Sequence, residues 1–201
     1  MEDNPASDLY LDWLDLASAP AFAGGTGKFG MTLLPGRRCP GWAVKAPREL
    51  ERDAQTLAAL GVSVFVLLVE DHELITCGVP TFGAVLADHG IKVLRCPIVD
   101  GQTPRDRSST PRPLSEFSEL GVPEPGDIDA FTKLVGEIEG RLWLGQTIGV
   151  SCRGGLGRTG ILAACLLKRA GLDADAAIAE VRRARRGAVE NARQEAFIRA
   201  W

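Results

Sequence analysis

Apolar and polar positions follow two rhythms along the chain. Residues 48–60 (RELERDAQTLAAL) carry apolar side chains at helical spacing with Gly61 placed as a C-cap, and residues 62–69 (VSVFVLLV) form an unbroken apolar, β-branched run. Together they predict a helix feeding a buried strand. The pattern repeats: residues 80–90 (PTFGAVLADHG) read as a helix closed by glycine, and residues 91–99 (IKVLRCPIV) as a second buried strand. Residues 31–34 (MTLL) predict a short strand upstream. Further along, Asp127 caps an amphipathic helix over 128–145, and residues 146–151 (QTIGVS) form a short strand. Residues 161–171 (ILAACLLKRAG) are apolar on nearly every helical face, so this helix is expected to be central. An Ala-rich amphipathic helix (173–187) and a last turn and helix (188–201) complete the series. Helices alternating with buried strands predict an α/β fold, a single domain with a mainly parallel central sheet flanked by helices.

Two stretches break these rhythms. Residues 1–27, acidic at the start and Gly-rich at the end, are expected to form an N-terminal arm, leaving 28–201 as the domain. Residues 103–127 are rich in Pro, Ser and charge and predict a long surface excursion, with one helical turn at 113–120. A length of 201 residues suits one domain, and 45% hydrophobic with 24% charged residues excludes wholesale disorder and coiled coil. A net charge of −3 supplies no global field for nucleic acid or an anionic membrane. With no run of about 18 apolar residues and an acidic N-terminus, the expected location is cytoplasmic. Five cysteines with no CxxC pair suggest neither a disulfide framework nor a zinc site, so no metal and no cofactor are expected. Cys39, Cys96 and Cys165 sit among apolar residues or beside Pro and read as small buried hydrophobes.

The richest segment is Ser151-Cys152-Arg153-Gly154-Gly155-Leu156-Gly157-Arg158-Thr159-Gly160, between a strand and a helix. Gly155, Gly157 and Gly160 match the spacing of a dinucleotide-binding turn, but only helices follow, and the second strand that such a site needs is missing. The same residues also spell Cys-(x)5-Arg. A loop of small residues lets successive backbone N–H groups converge on an anion, and the helix N-terminus adds partial positive charge. Those donors lower the pKa of a thiol at Cys152 and make it a nucleophile at neutral pH. Arg158 can grip two oxygens of a phosphoryl group with its planar fork, and Thr159 can donate to the sulfur when it leaves. The phosphate-binding positions are thus Arg153, Gly154, Gly155, Leu156, Gly157 and Arg158.

This loop resembles the signature of the cysteine-dependent protein tyrosine phosphatase superfamily, and the chain is similar to its dual-specificity class. PIVDGQTP (97–104), CRGGLGRTGILAACLL (152–167) and RRGAVENARQ (185–194) carry the likeness, which covers about residues 28–201. The resemblance implies a phosphoprotein phosphatase working through a phosphocysteine, with a phosphorylated protein as substrate and a kinase among its partners. It implies Asp100, after the strand and before Gly101, as general acid, with Asp106 and Asp71 as alternatives. Gln194 corresponds to a water-positioning glutamine, or else is an exposed polar residue of the last helix. Asp71, His72 and Glu73 form a loop cluster expected to be solvated or to rim the pocket, and some similar phosphatases protect the nucleophile through a reversible disulfide with a nearby thiol, for which Cys77 is the candidate. The family usually has His where this chain has Ser151, whose hydroxyl is expected to cap a local carbonyl. One added cation in the loop, Arg153, favours protein substrates over phosphoinositides. A catalytically silent phosphate-recognising module remains the alternative, and a rhodanese-like sulfur transferase would need neither Asp100 nor Gln194.

Overall fold

Five strands, β1 (Asp12–Trp13), β2 (Lys28–Thr32), β3 (Val62–Leu67), β4 (Lys92–Arg95) and β5 (Thr147–Ser151), line up as β1-β2-β5-β3-β4 in the computed structural model of the protein. The structure describes residues 9–38, 48–105 and 126–201. All neighbours run parallel except β1, which pairs antiparallel with β2 at the edge. β5 lies at the centre, with Thr32 of β2 and Leu67 of β3 both opposite Ser151. β3 and β5 are buried along most of their length, as expected of central parallel strands. The chain is therefore a single α/β domain with a mixed, mostly parallel sheet.

Seven α-helices flank the sheet among the described residues: α1 (Leu50–Ala59), α2 (Asp71–Thr76), α3 (Phe82–Asp88), α4 (Ile128–Trp143), α5 (Gly157–Arg169), α6 (Ala174–Ala184) and α7 (Ala192–Ala200). Side-chain caps set the starts of α4, α6 and α7. Asp127 accepts from Asp129 and Ala130 N–H, Asp173 from Ala176 and Asn191 from Gln194. α5 is buried from Gly157 to Leu167, which explains an apolar pattern without a polar face. Its N-terminus meets the carboxyl end of β5, beside the ends of β2 and β3, where open parallel sheets place their ligands.

Three expectations are revised. The strand expected at 31–34 spans Lys28–Thr32, because Leu33 and Leu34 leave the ladder and Leu34 N–H donates to Arg153 O at 3.3 Å. The cluster at 71–73 is not a loop but the first turn of α2, closed by a capping box in which Glu70 and Glu73 exchange hydrogen bonds. Cys77 is disulfide-bonded while Cys152 is free, so the two are not joined. Cys96 and Cys165 are buried thiols as expected, and burial, with Asp127 nearby, pushes Cys96 up to about 12. Residues 9–27 add β1 to the sheet and bury Leu9, Leu11, Leu14 and Phe22 in the common core. The excursion is pinched at its base, where Arg105 N–H donates to Gly126 O at 2.7 Å. Cys39, Asp106 and the turn expected at 113–120 lie outside the described residues. Among the described residues no helix is long and apolar enough to cross a membrane, and no His, Cys, Asp and Glu cluster could hold a metal ion.

Candidate functional site

The loop from Cys152 to Leu156 joins β5 to α5, and its peptide planes are held from outside. Arg153 O accepts from Leu34 N–H and from Arg37 Nη1 at 3.0 Å. Gly154 O and Gly155 O accept from Arg185 Nη2 and Nε at 3.2 and 2.6 Å. Leu156 O accepts from Gly160 and Val189 N–H. In a trans peptide the N–H points opposite to the C=O. Four carbonyls turned outward therefore turn the N–H groups of Gly154, Gly155, Leu156 and Gly157 inward. Gly155 N–H already reaches Cys152 Sγ at 3.2 Å.

The glycines that mimic a dinucleotide turn have other reasons to be there. Gly155 has φ +71°, and a Cβ on it would stand 2.1 Å from Thr32 O. On Gly157 a Cβ would meet Glu190 Oε2 at 2.2 Å and Gln194 Nε2 at 2.6 Å, and on Gly160 it would meet Val189 N at 2.6 Å. Each lets β2 or the segment before α7 press against the loop. Gly155→Ala is expected to break the cradle, with a strained backbone and a clash against β2 that cannot move away. The check is phosphate binding by titration calorimetry together with thermal denaturation. Binding as tight as in the native chain would show that the loop does not need this conformation.

Electrostatics converge on the sulfur. Burial alone would raise the Cys152 pKa, but the Arg158 charge and hydrogen bonds from Thr159 and Gly155 together bring it below the usual thiol value. Thr159 Oγ1 accepts from Cys152 N–H at 2.9 Å, which leaves its own proton for the sulfur. Arg158 is almost wholly buried. Its Nη1 and Nη2 bind the two oxygens of Glu73 at 2.6 and 2.8 Å, and Nη1 also donates to Ile98 O at 2.9 Å. Burial pushes the Glu73 carboxyl up. The Arg158 hydrogen bonds and charge, followed by Glu70 N–H and His72, more than offset this and hold it below the ordinary carboxylate range. Glu73 thus fixes one edge of the guanidinium and leaves the Nε–Nη2 edge for an oxyanion.

The other expected residues fall into place unevenly. Asp100 is half-exposed and lies across the mouth of the loop, 3.0 Å from Arg158 Nη2 and 3.4 Å from Arg153 Nη2. It therefore faces the cradle rather than capping its own turn. Asp71 instead pairs with Arg95, which also donates to Val69 O. Gln194 is buried, not exposed. Its Oε1 accepts from Glu190 N–H at 2.8 Å and its amide nitrogen lies over Gly157. Ser151 Oγ is buried and, among the described residues, hydrogen-bonds no protein atom, so it caps no carbonyl there. Sequence reasoning did not assign Glu73 to Arg158, and it missed Arg185 altogether. A cavity of about 350 Å³ lined by Trp13, Phe22, Lys28 and Leu142 lies at the opposite, amino-terminal end of β2, away from this chemistry.

Comparison with known proteins agrees with the geometry. Residues 42–198 match a family described as "Swiss Army Knife protein, DSP-PTPase phosphatase domain". Among solved structures, the chain is similar to kinase associated phosphatase with its catalytic-site cysteine changed to serine. The TM-score is 0.76 at 23% identity, over 96% of this chain and 93% of that one. It is also similar to Tk-PTP in its active form, with a TM-score of 0.61 and 26% identity over 88% and 90% of the two chains. A third likeness, to human DUSP28, has a TM-score of 0.53 at 16% identity over 97% and 95%.

Proposed function

The chain belongs to the DSP-PTPase phosphatase domain family, and from that premise we propose that it hydrolyses phosphotyrosine, phosphoserine or phosphothreonine in proteins through a phosphocysteine at Cys152. The observation that carries this reading is the meeting of a buried thiol of lowered pKa, the Gly155 N–H and the Glu73-anchored Arg158 at one helix N-terminus. An entering phosphoryl group takes the inward N–H groups and the Nε–Nη2 edge of Arg158, displacing the Asp100 carboxylate from Nη2. The Cys152 thiolate attacks phosphorus as the P–O bond to the substrate breaks. Asp100, released at the mouth of the loop, takes up a proton from solvent and gives it to the departing oxygen. Water then attacks the phosphocysteine with Asp100 as base, the Gln194 amide orients that water, and the Thr159 hydroxyl stabilises the returning thiolate. No step calls for a metal.

A phosphorylated protein is the proposed substrate and a kinase the proposed docking partner, the latter by analogy with kinase associated phosphatase. Arg153 is the one added cation of the loop and is already paired with Asp100, which supports a protein substrate over a highly charged phosphoinositide.

Asp100→Ala is expected to slow hydrolysis of alkyl phosphates by about 10²- to 10⁴-fold, and of aryl esters with good leaving groups far less. A leaving-group series in kcat/KM checks this. Equal losses across the series would assign Asp100 a structural role, and normal rates beside a damaged Asp106→Ala would make Asp106 the acid.

A further inference from the structure

Gly154 and Gly155 contribute no side-chain packing to the loop, and nothing lies within 4 Å of where a Cβ on Gly154 would be. Adjacent glycines are also the residues most free to rotate. Their two peptide planes are therefore oriented by what binds their carbonyls, and a single side chain binds both. Arg185, the buried C-cap of α6, spends Nε on Gly155 O and Nη2 on Gly154 O. Its Nη1 meets the Asp12 carboxylate at 2.5 Å. Asp12 belongs to β1, a two-residue edge strand 173 positions away in sequence.

We propose that Asp12 and Arg185 form a brace that keeps the phosphate-binding loop with its N–H groups inward, making the N-terminal strand a positioning element of the active site. Asp12 and Arg185 touch no substrate; they act through the two carbonyls. Without the carboxylate, Arg185 is a buried cation with only carbonyl partners, and its fork loses the contact that fixes its angle. The Gly154–Gly155 and Gly155–Leu156 peptides can then rotate and withdraw their N–H groups from the cradle. The Gly155 N–H that reaches Cys152 is one of these. The brace's outer end sits half-exposed on the sheet edge, so whatever moves β1 also loosens the loop.

The proposal rests on the phosphatase reading, and its test separates the two. Asp12→Asn keeps shape and removes charge, Asp12→Glu keeps charge, and Arg185→Lys keeps charge but cannot reach three acceptors. Asp15→Asn breaks the neighbouring exposed pair with Arg183 and serves as control. The first readout is the pH midpoint of iodoacetate alkylation of Cys152. Arg158, the charge that faces the sulfur, is untouched by these variants, as are Glu73 and Asp100, which face Arg158. Asp12→Asn and Arg185→Lys are expected to move the midpoint up by about one pH unit. Arg185→Lys is expected to lower kcat by on the order of 10²-fold, as loss of oriented oxyanion donors does. Asp12→Glu and Asp15→Asn are expected to match the native chain. A purely stabilising pair would lower the melting temperature and leave the alkylation profile of the folded protein unchanged, and that result would overturn the brace. The alkylation readout needs no turnover, so a native chain without activity would sink the phosphatase reading while the brace is still judged on the thiolate.

Discussion

Cys152→Ser is expected to lose turnover by on the order of 10⁴-fold or more while still binding phosphate esters. The substitution leaves the rest of the cradle unchanged. The inward N–H groups of Gly154 to Gly157 are oriented by carbonyl contacts to Leu34, Arg37, Arg185, Gly160 and Val189, none of which involves the sulfur. Arg158 is held by Glu73 and Ile98 O, again without Cys152. The cradle therefore survives, and serine, a poor nucleophile with no base beside it, cannot open the ester. Phosphopeptide binding by calorimetry and single-turnover rates check this directly. A Ser variant that kept a tenth of the native rate would remove Cys152 from the nucleophile's place.

The second large effect is expected at Arg158 and its anchor. Arg158→Lys replaces a planar fork bound to Glu73, Ile98 O and Asp100 with a point charge, and kcat/KM is expected to fall by on the order of 10³-fold. Glu73→Gln acts on the same guanidinium from behind. It leaves a buried cation without its carboxylate, and a loss of about 3 to 5 kcal/mol in stability follows from breaking such a pair. The pH dependence has a definite sign. The Glu73 pKa is lower folded than unfolded, so its stabilisation is fully present above the unfolded value of about 4.3 and is lost as pH falls through the depressed folded value. The native chain is thus expected to lose stability on acidification through that window, and Glu73→Gln to show a flatter profile. Denaturant unfolding across pH measures this. Equal acid sensitivity in both proteins would mean that the pair contributes nothing to stability.

The parts of this molecule that show in its sequence are those with a local cause. Long amphipathic or wholly apolar runs mark α1, α4, α5 and β3, and the small-residue spacing around Cys152 and Arg158 exposes the cradle. α2 stays hidden because six residues cannot display a helical period, and its start is a Glu70–Glu73 capping box rather than a Ser or Thr signal. The role of Glu73 is hidden with it, since the partner lies 85 positions away. Arg185 sits in a run of arginines that looks like a solvated helix face, and only the packing of α6 against the loop turns it inward. Gln194 reads equally well as an exposed helical residue until α7 is seen tucked behind Gly157. β1 contributes two residues to the ladder, too few for any alternation to register.

The central claim, a covalent phosphocysteine, is tested most directly by mixing the native chain with an aryl phosphate, quenching in acid within the first turnover and measuring the mass of the peptide that carries Cys152. One added phosphoryl group is expected on that peptide, absent in Cys152→Ser and longer-lived in Asp100→Ala, where no base activates the attacking water. Turnover at the native rate with no adduct on Cys152 at any quench time would contradict it.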